Sequence, residues 1–250
     1  MIEIIGIDCS TNPKKLGIAR GQFVSGRLTI LEASAGHSKA PQKISSWLEQ
    51  SPRSLLALDA PLGWPKPMGA SLSNHKAGSV IDIDSNLMFR RHTDRFIKRE
   101  LNKQSLDVGA NLIARTALFA LKLIESIRME TGKSIPMAWS PDFPSSCAAI
   151  EVYPAATLES REIESAGYKK LEQLARRREI LNLLDGELTL NCESESIVAQ
   201  DDILDAVLCV LAAADFLNGK CYEPATAKKE IIEIESWIWV KKKLIEGRTR

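Results

Sequence analysis

Ile2-Glu3-Ile4-Ile5-Gly6-Ile7-Asp8 opens the chain as an apolar, β-branched run that ends on a carboxylate. Such a run suits a buried strand. Residues 16–24 and 27–33 follow it at hairpin spacing, with Ser25-Gly26 as the two-residue turn. Leu55-Leu56-Ala57-Leu58-Asp59 is a second apolar run ending on Asp, stopped by the breaker Ala60-Pro61-Leu62-Gly63. Cys147-Ala148-Ala149-Ile150-Glu151-Val152-Tyr153 is a third, ended by Pro154. Helical patterns fall at 41–50, at 110–130 (Leu112, Ala117, Leu121 and Ile124 among the apolar positions), at 168–184, and from Asp201 to about Leu217. Residues 231–240 alternate through Ile232, Ile234, Trp237 and Trp239, which predicts a last strand. Three antiparallel strands followed by strands alternating with helices define an α/β fold, a mixed sheet flanked by helices. The expectation is one domain over residues 1–250, with a long, partly helical excursion at about 63–105, where the period fails and Pro, Gly, Ser and charge accumulate. There is no internal repeat.

A chain of 250 residues with 44% hydrophobic and 26% charged residues is ordinary for a globular α/β protein. Its formal net charge of +1 excludes a global field that would gather polyanions, so any nucleic-acid contact must come from local clusters. Five cysteines, at 9, 147, 192, 209 and 221, form no Cys-x-x-Cys pair. An odd, scattered set argues against a disulfide framework or a zinc ribbon and fits a reducing cytoplasm. No basic n-region precedes the first apolar run, and the helix beyond Asp205 is too short to span a bilayer, so no membrane association is expected. Monomer and homodimer are both compatible with the sequence.

Asp201-Asp202-Ile203-Leu204-Asp205-Ala206 heads an almost wholly apolar helix. Asp202 and Asp205, at i and i+3, lie on one side of it, about 60° and about 4.5 Å apart. Two like charges beside an apolar core repel each other and resist desolvation, and a divalent cation would offset that cost. Asp also serves at helix N-caps and in first turns, which accounts for Asp201 and gives Asp202 a structural alternative; Asp205 lies a turn deeper. Asp8, Asp59 and Glu151 each sit at or near the end of an apolar strand. Strand ends on one edge of an α/β sheet lie close together, and sites gather there. Each acid has a structural alternative as well: Asp8 as a turn cap, Asp59 as the shaper of the strand exit, Glu151 as a solvent-facing edge residue. Oxygen-rich ligand sets with few histidines (here only three) suit Mg²⁺ or Mn²⁺ rather than zinc or copper. Two such ions would clamp the attacking and leaving oxygens of a phosphodiester displacement.

Arg90-Arg91-His92-Thr93-Asp94-Arg95-Phe96-Ile97-Lys98-Arg99 is the densest basic cluster. Arg91, Arg95 and Arg99 are its candidate nucleic-acid contacts, with Arg91 also able to pair with Asp94 at i+3. Lys169-Lys170, Arg176-Arg177-Arg178 and the tail 241–250 read as surface charge.

Gly6-Ile7-Asp8 opening a hairpin, Leu58-Asp59-Ala60-Pro61-Leu62-Gly63, Arg91-x-x-Asp94, Ile150-Glu151-Val152-Tyr153-Pro154, Asp202-x-x-Asp205-Ala206 and the late Trp237-Ile238-Trp239-Val240 follow one another in an order that resembles a family of predicted nucleases. That family is named domain of unknown function 429, and it looks like a branch of the ribonuclease-H-like fold that also holds the RuvC-type junction resolvases. The resemblance covers nearly the whole chain. It implies metal ligands at Asp8, Asp59 and the Asp202/Asp205 pair, Glu151 as an extra ligand or base, Mg²⁺ or Mn²⁺ as cofactor, and DNA or RNA as substrate. Two other functions share the fold. A sugar-kinase-like or actin-like ATP-binding protein would use Asp8-Cys9-Ser10-Thr11 as a phosphate loop, but needs a second such domain. A non-catalytic binding protein would hold no metal.

Overall fold

The computed structural model describes residues 1–36, 38–109, 111–225 and 228–243. Its centre is a six-stranded mixed sheet. Strands β1 (Ile2–Asp8), β2 (Gly17–Val24) and β3 (Arg27–Ala35) form the antiparallel meander. Ser25 and Gly26 close the hairpin at φ 50° and 81°. That is the left-handed pair a tight two-residue turn demands. Strand β4 (Ser54–Asp59) runs parallel to β1, and β5 (Cys147–Glu151) runs parallel to β4. A two-residue β6 (Thr189–Leu190) joins β3, giving the order β5-β4-β1-β2-β3-β6. The fold is α/β and consistent with the ribonuclease-H-like class.

Helices cover both faces, which explains strands that are apolar on both sides. On one face, α1 (Ala40–Glu49) and α5 (Asn111–Thr131) pack Ile44, Trp47, Leu48, Leu123 and Ile124 against Ile5, Ile7, Leu56 and Leu58. On the other lies α9 (Asp201–Leu217), buried without interruption from Ile203 to Phe216. It rests on Ile4, Ala57, Ala148 and Ile150. Glycines make room for it. A Cβ on Gly6 would stand 2.1 Å from the Ala206 carbonyl oxygen, and one on Gly17 would stand 1.9 Å from that of Asp202. Only hydrogen at these two positions lets the helix backbone settle onto β1 and β2.

Between β4 and α5 the excursion carries α2 (Lys66–Leu72), α3 (Ser85–Phe89) and α4 (His92–Leu101). Three short helices escape the sequence reading: α6 (Pro154–Glu159), α8 (Ser194–Ala199) and α10 (Lys229–Glu235). The last replaces the strand expected over 231–240. Ser236 reverses the chain at φ 68° after α10, and the following segment makes only isolated bridges, Ile238 with Glu151 and Lys241 with Cys221. Trp237 and Trp239 are buried as expected of a strand, but they do not propagate a ladder. The helix expected over 168–184 is shorter, α7 (Leu174–Leu183). Gly167 at φ 81° turns the chain, and residues 168–173 form turns rather than helix. Of the basic tail 241–250, residues 244–250 lie outside the described residues.

Candidate metal centre

Alternation carries Asp8 to its place. Ile4 and Gly6 face α9, so Asp8, two residues further on, faces it too. The same count on β4, through Leu55 and Ala57, brings Asp59 to that face. The two are Cα partners in the parallel β1/β4 ladder, side by side where both strands end. Asp205 arrives from the second turn of α9, 1% exposed, at the level where Gly6 and Gly17 admit the helix. One carboxylate oxygen from each of Asp8, Asp59 and Asp205 lies within 4.8 Å of the others.

Burial and neighbouring negative charge make a carboxyl harder to ionise. Burial, then the charges of Asp205 and Asp59, holds the Asp8 carboxyl well above the usual carboxylate range. Burial pushes Asp59 up to about 7; Lys169 works against that rise, while Asp205 and Glu151 add to it. Burial with Asp8 and Asp59 nearby also pushes the Cys9 thiol well up, so it forms a neutral wall beside the acids rather than a thiolate.

Residues 168 and 169, read from the sequence as part of a surface helix, complete the site. The Tyr168 hydroxyl donates to Asp205 Oδ1 at 2.6 Å, and Tyr168 is fully buried. The Lys169 ammonium stands 2.5 Å from Asp205 Oδ2. That oxygen nonetheless accepts no well-aligned hydrogen bond, so the contact is an ion pair set off the lone-pair direction. Arg177 is likewise no surface charge. It is 1% exposed and donates to the carbonyls of Tyr168, Lys170 and Val198. The hint in the sequence is Gly167, a turn-permitting residue directly before the two residues that matter.

The remaining candidates lie around this centre rather than in it. Asp202, one turn before Asp205, is half-buried at the rim and outside the three-carboxylate group; burial and Asp201 push it up to about 6. Glu151 falls on the opposite face of the sheet, since Cys147 and Ala149 share its parity and pack under α1 and α5. It is 2% exposed, which rules out the solvent-facing alternative. Its oxygens are taken by Arg91, at 2.8 and 2.7 Å, and by the Leu62 N–H at 2.9 Å. Arg91, expected as a nucleic-acid contact, has every guanidinium N–H engaged within the chain. Its five N–H groups go to Asp94, Glu151 and the Glu235 carbonyl, and the side chain is buried. The expected Arg91–Asp94 pair is present, at 3.0 Å. Arg95 is half-buried and donates to the carbonyls of Asn86 and Arg90. Arg99 is exposed, paired with Glu100 and lying over the Phe96 ring.

A cavity of about 270 Å³ opens onto Asp8 and Asp59 and is lined also by Tyr153, Lys169, Leu106 and Ile113. A larger hollow of about 830 Å³ lies beside β6 and the Ser25-Gly26 turn, at the other end of the strands from Asp8. It gathers no comparable set of acids and is remote from the chemistry.

The family model described as "Protein of unknown function (DUF429)" matches residues 6–229. The chain belongs to this family. The match takes in Asp8, Asp59, Lys169 and Asp205, so the whole centre lies inside the region the DUF429 family defines. No curated protein and no solved structure matches the chain. An all-oxygen donor set, with the Asp8 and Asp59 carboxyls pushed above their ordinary range, fits a hard divalent cation. Among the described residues no helix is long and apolar enough to cross a membrane.

Proposed function

We propose that this DUF429 protein is a metal-dependent nuclease that hydrolyses phosphodiester bonds of a nucleic acid. Asp8, Asp59 and Asp205 would hold the ion, Mg²⁺ or Mn²⁺. The convergence of these three carboxylates, from two strand ends and one buried helix, is the observation that carries the reading. When bound, the ion supplies Lewis-acid activation of water and neutralises charge on the phosphate. The chain's own groups prepare the place. Tyr168 orients the Asp205 carboxylate. Burial pushes the Tyr153 hydroxyl, beside the acids, up to about 12, so it stays protonated and can donate to an anionic substrate. Glu151, locked by Arg91, supports the Leu62 loop behind Asp59 rather than acting as a base. The choice of a nucleic acid follows the fold resemblance and not the charge, which is nearly balanced. A reducing cytoplasm agrees with five free thiols, four of them buried.

The test is a panel of DNA, RNA, hybrid duplexes and branched junctions with Mg²⁺ or Mn²⁺. Cleavage of at least one member, abolished by Asp8→Asn and by chelation, is expected. A folded wild-type protein that leaves every member intact with either metal contradicts the proposal.

A further inference from the structure

We infer that the centre takes a single divalent cation and that the Lys169 ammonium stands in the place of a second. This rests on the reading of Asp8, Asp59 and Asp205 as metal ligands. Charge sets the number of ions. Three carboxylates and one ammonium leave two negative charges, which one divalent ion balances. The ammonium already contacts Asp205 Oδ2, so a fixed cation holds that oxygen.

The position of Lys169 is built, not incidental. A long, mostly exposed lysine loses side-chain entropy when its tip is held, so something must fix its stem. Here the side chain is 53% exposed and the backbone does the fixing. Buried Arg177 clamps the carbonyls on either side, Tyr168 at 2.6 Å and Lys170 at 2.9 Å, and ties both to Val198 at 2.6 Å, just ahead of α9. Tyr168 anchors the turn from inside through Asp205, and its ring lies 5.8 Å from the ammonium. The residue that carries Asp205's counter-charge and the helix that carries Asp205 are thus held by one arginine. A phosphate entering the cavity would find Lys169 on the same wall as Asp8 and Asp59, which would hold the ion. Unlike a second ion, the ammonium is covalently attached and needs no recruitment.

Calorimetric titration of the folded protein with Mn²⁺ counts the ions directly and reads no activity. The wild type binds one Mn²⁺ per chain. Lys169→Met frees Asp205 Oδ2 and binds two, while Lys169→Arg restores one. Thermal melts of all three confirm that each is folded. Two ions on the wild type, or one on a folded Lys169→Met, overturn the inference and leave the metal centre standing. No binding by the wild type defeats the metal centre and this inference with it.

Discussion

At the residue scale, burial keeps Asp8 and Asp59 from ionising freely. Asp59 is the clearest case, pushed up to about 7 from an ordinary 3.8, first by burial. The folded protein therefore keeps a proton that the unfolded chain gives up between those two values. Stability contributed by this group is complete below about pH 4 and is lost as pH rises through about 7. A divalent ion takes the proton's place, so metal binding strengthens over the same interval. The melting temperature of the metal-free protein should fall from about pH 5 to about pH 7.5, less steeply in Asp59→Asn, and the rise produced by Mg²⁺ should be larger at the higher pH. A metal-induced rise equal at both values contradicts this assignment. Asp8 and Asp59 were legible in the sequence because each ends an apolar strand, and Asp205 because it interrupts an apolar helix. Lys169 was not, since a lysine in a basic stretch gives no sign that its tip turns inward.

At the scale of elements, the site is made by how closely α9 lies on β1 and β2. Gly6 and Gly17 set that distance through direct contact with the helix backbone. Gly6→Ala forces a Cβ against the Ala206 carbonyl, one residue from Asp205. It should cost about 1–3 kcal/mol in denaturant unfolding, the usual range for overpacking a core. Lifting the helix also parts Asp205 from Asp8, so the variant should lose most of the Mg²⁺-induced rise in melting temperature. A Gly6→Ala protein as stable and as responsive to Mg²⁺ as the wild type would show that the close approach is dispensable. Both long elements of the site, β1 and α9, could be read from periodicity because their apolar runs are long and uninterrupted. Residues 231–240 could not. Ile231, Ile232 and Ile234 among charges suit one helical turn as well as a strand, and the tertiary position of Ser236 decides between them.

At the scale of the whole molecule, one buried ion network joins three distant parts of the chain. Arg91, at the head of α4, holds Glu151, 60 residues away on β5, and the Glu235 carbonyl, 144 residues away at the end of α10. The Glu235 carboxylate in turn accepts from the Lys66 and His92 N–H groups. The excursion is thereby fastened to the sheet edge beside the cavity, with Ser105 bonded to Asp94 and Leu106 lining the wall. The sequence exposes only the local part of this arrangement, Arg91 with Asp94 at i+3. Pairings across 60 or 144 residues leave no periodic trace, which is why Arg91 read as a phosphate contact and Glu151 as a ligand. The three-acid centre itself depends on an equally distant meeting, of residues 8, 59 and 205. A crystal soaked in Mn²⁺ and measured at the manganese absorption edge tests that meeting most directly. One anomalous peak is expected, with an oxygen from each of Asp8, Asp59 and Asp205 at about 2.1 Å. No peak among these three carboxylates, or a peak held by Asp201 and Asp202 at the rim instead, would contradict this expectation.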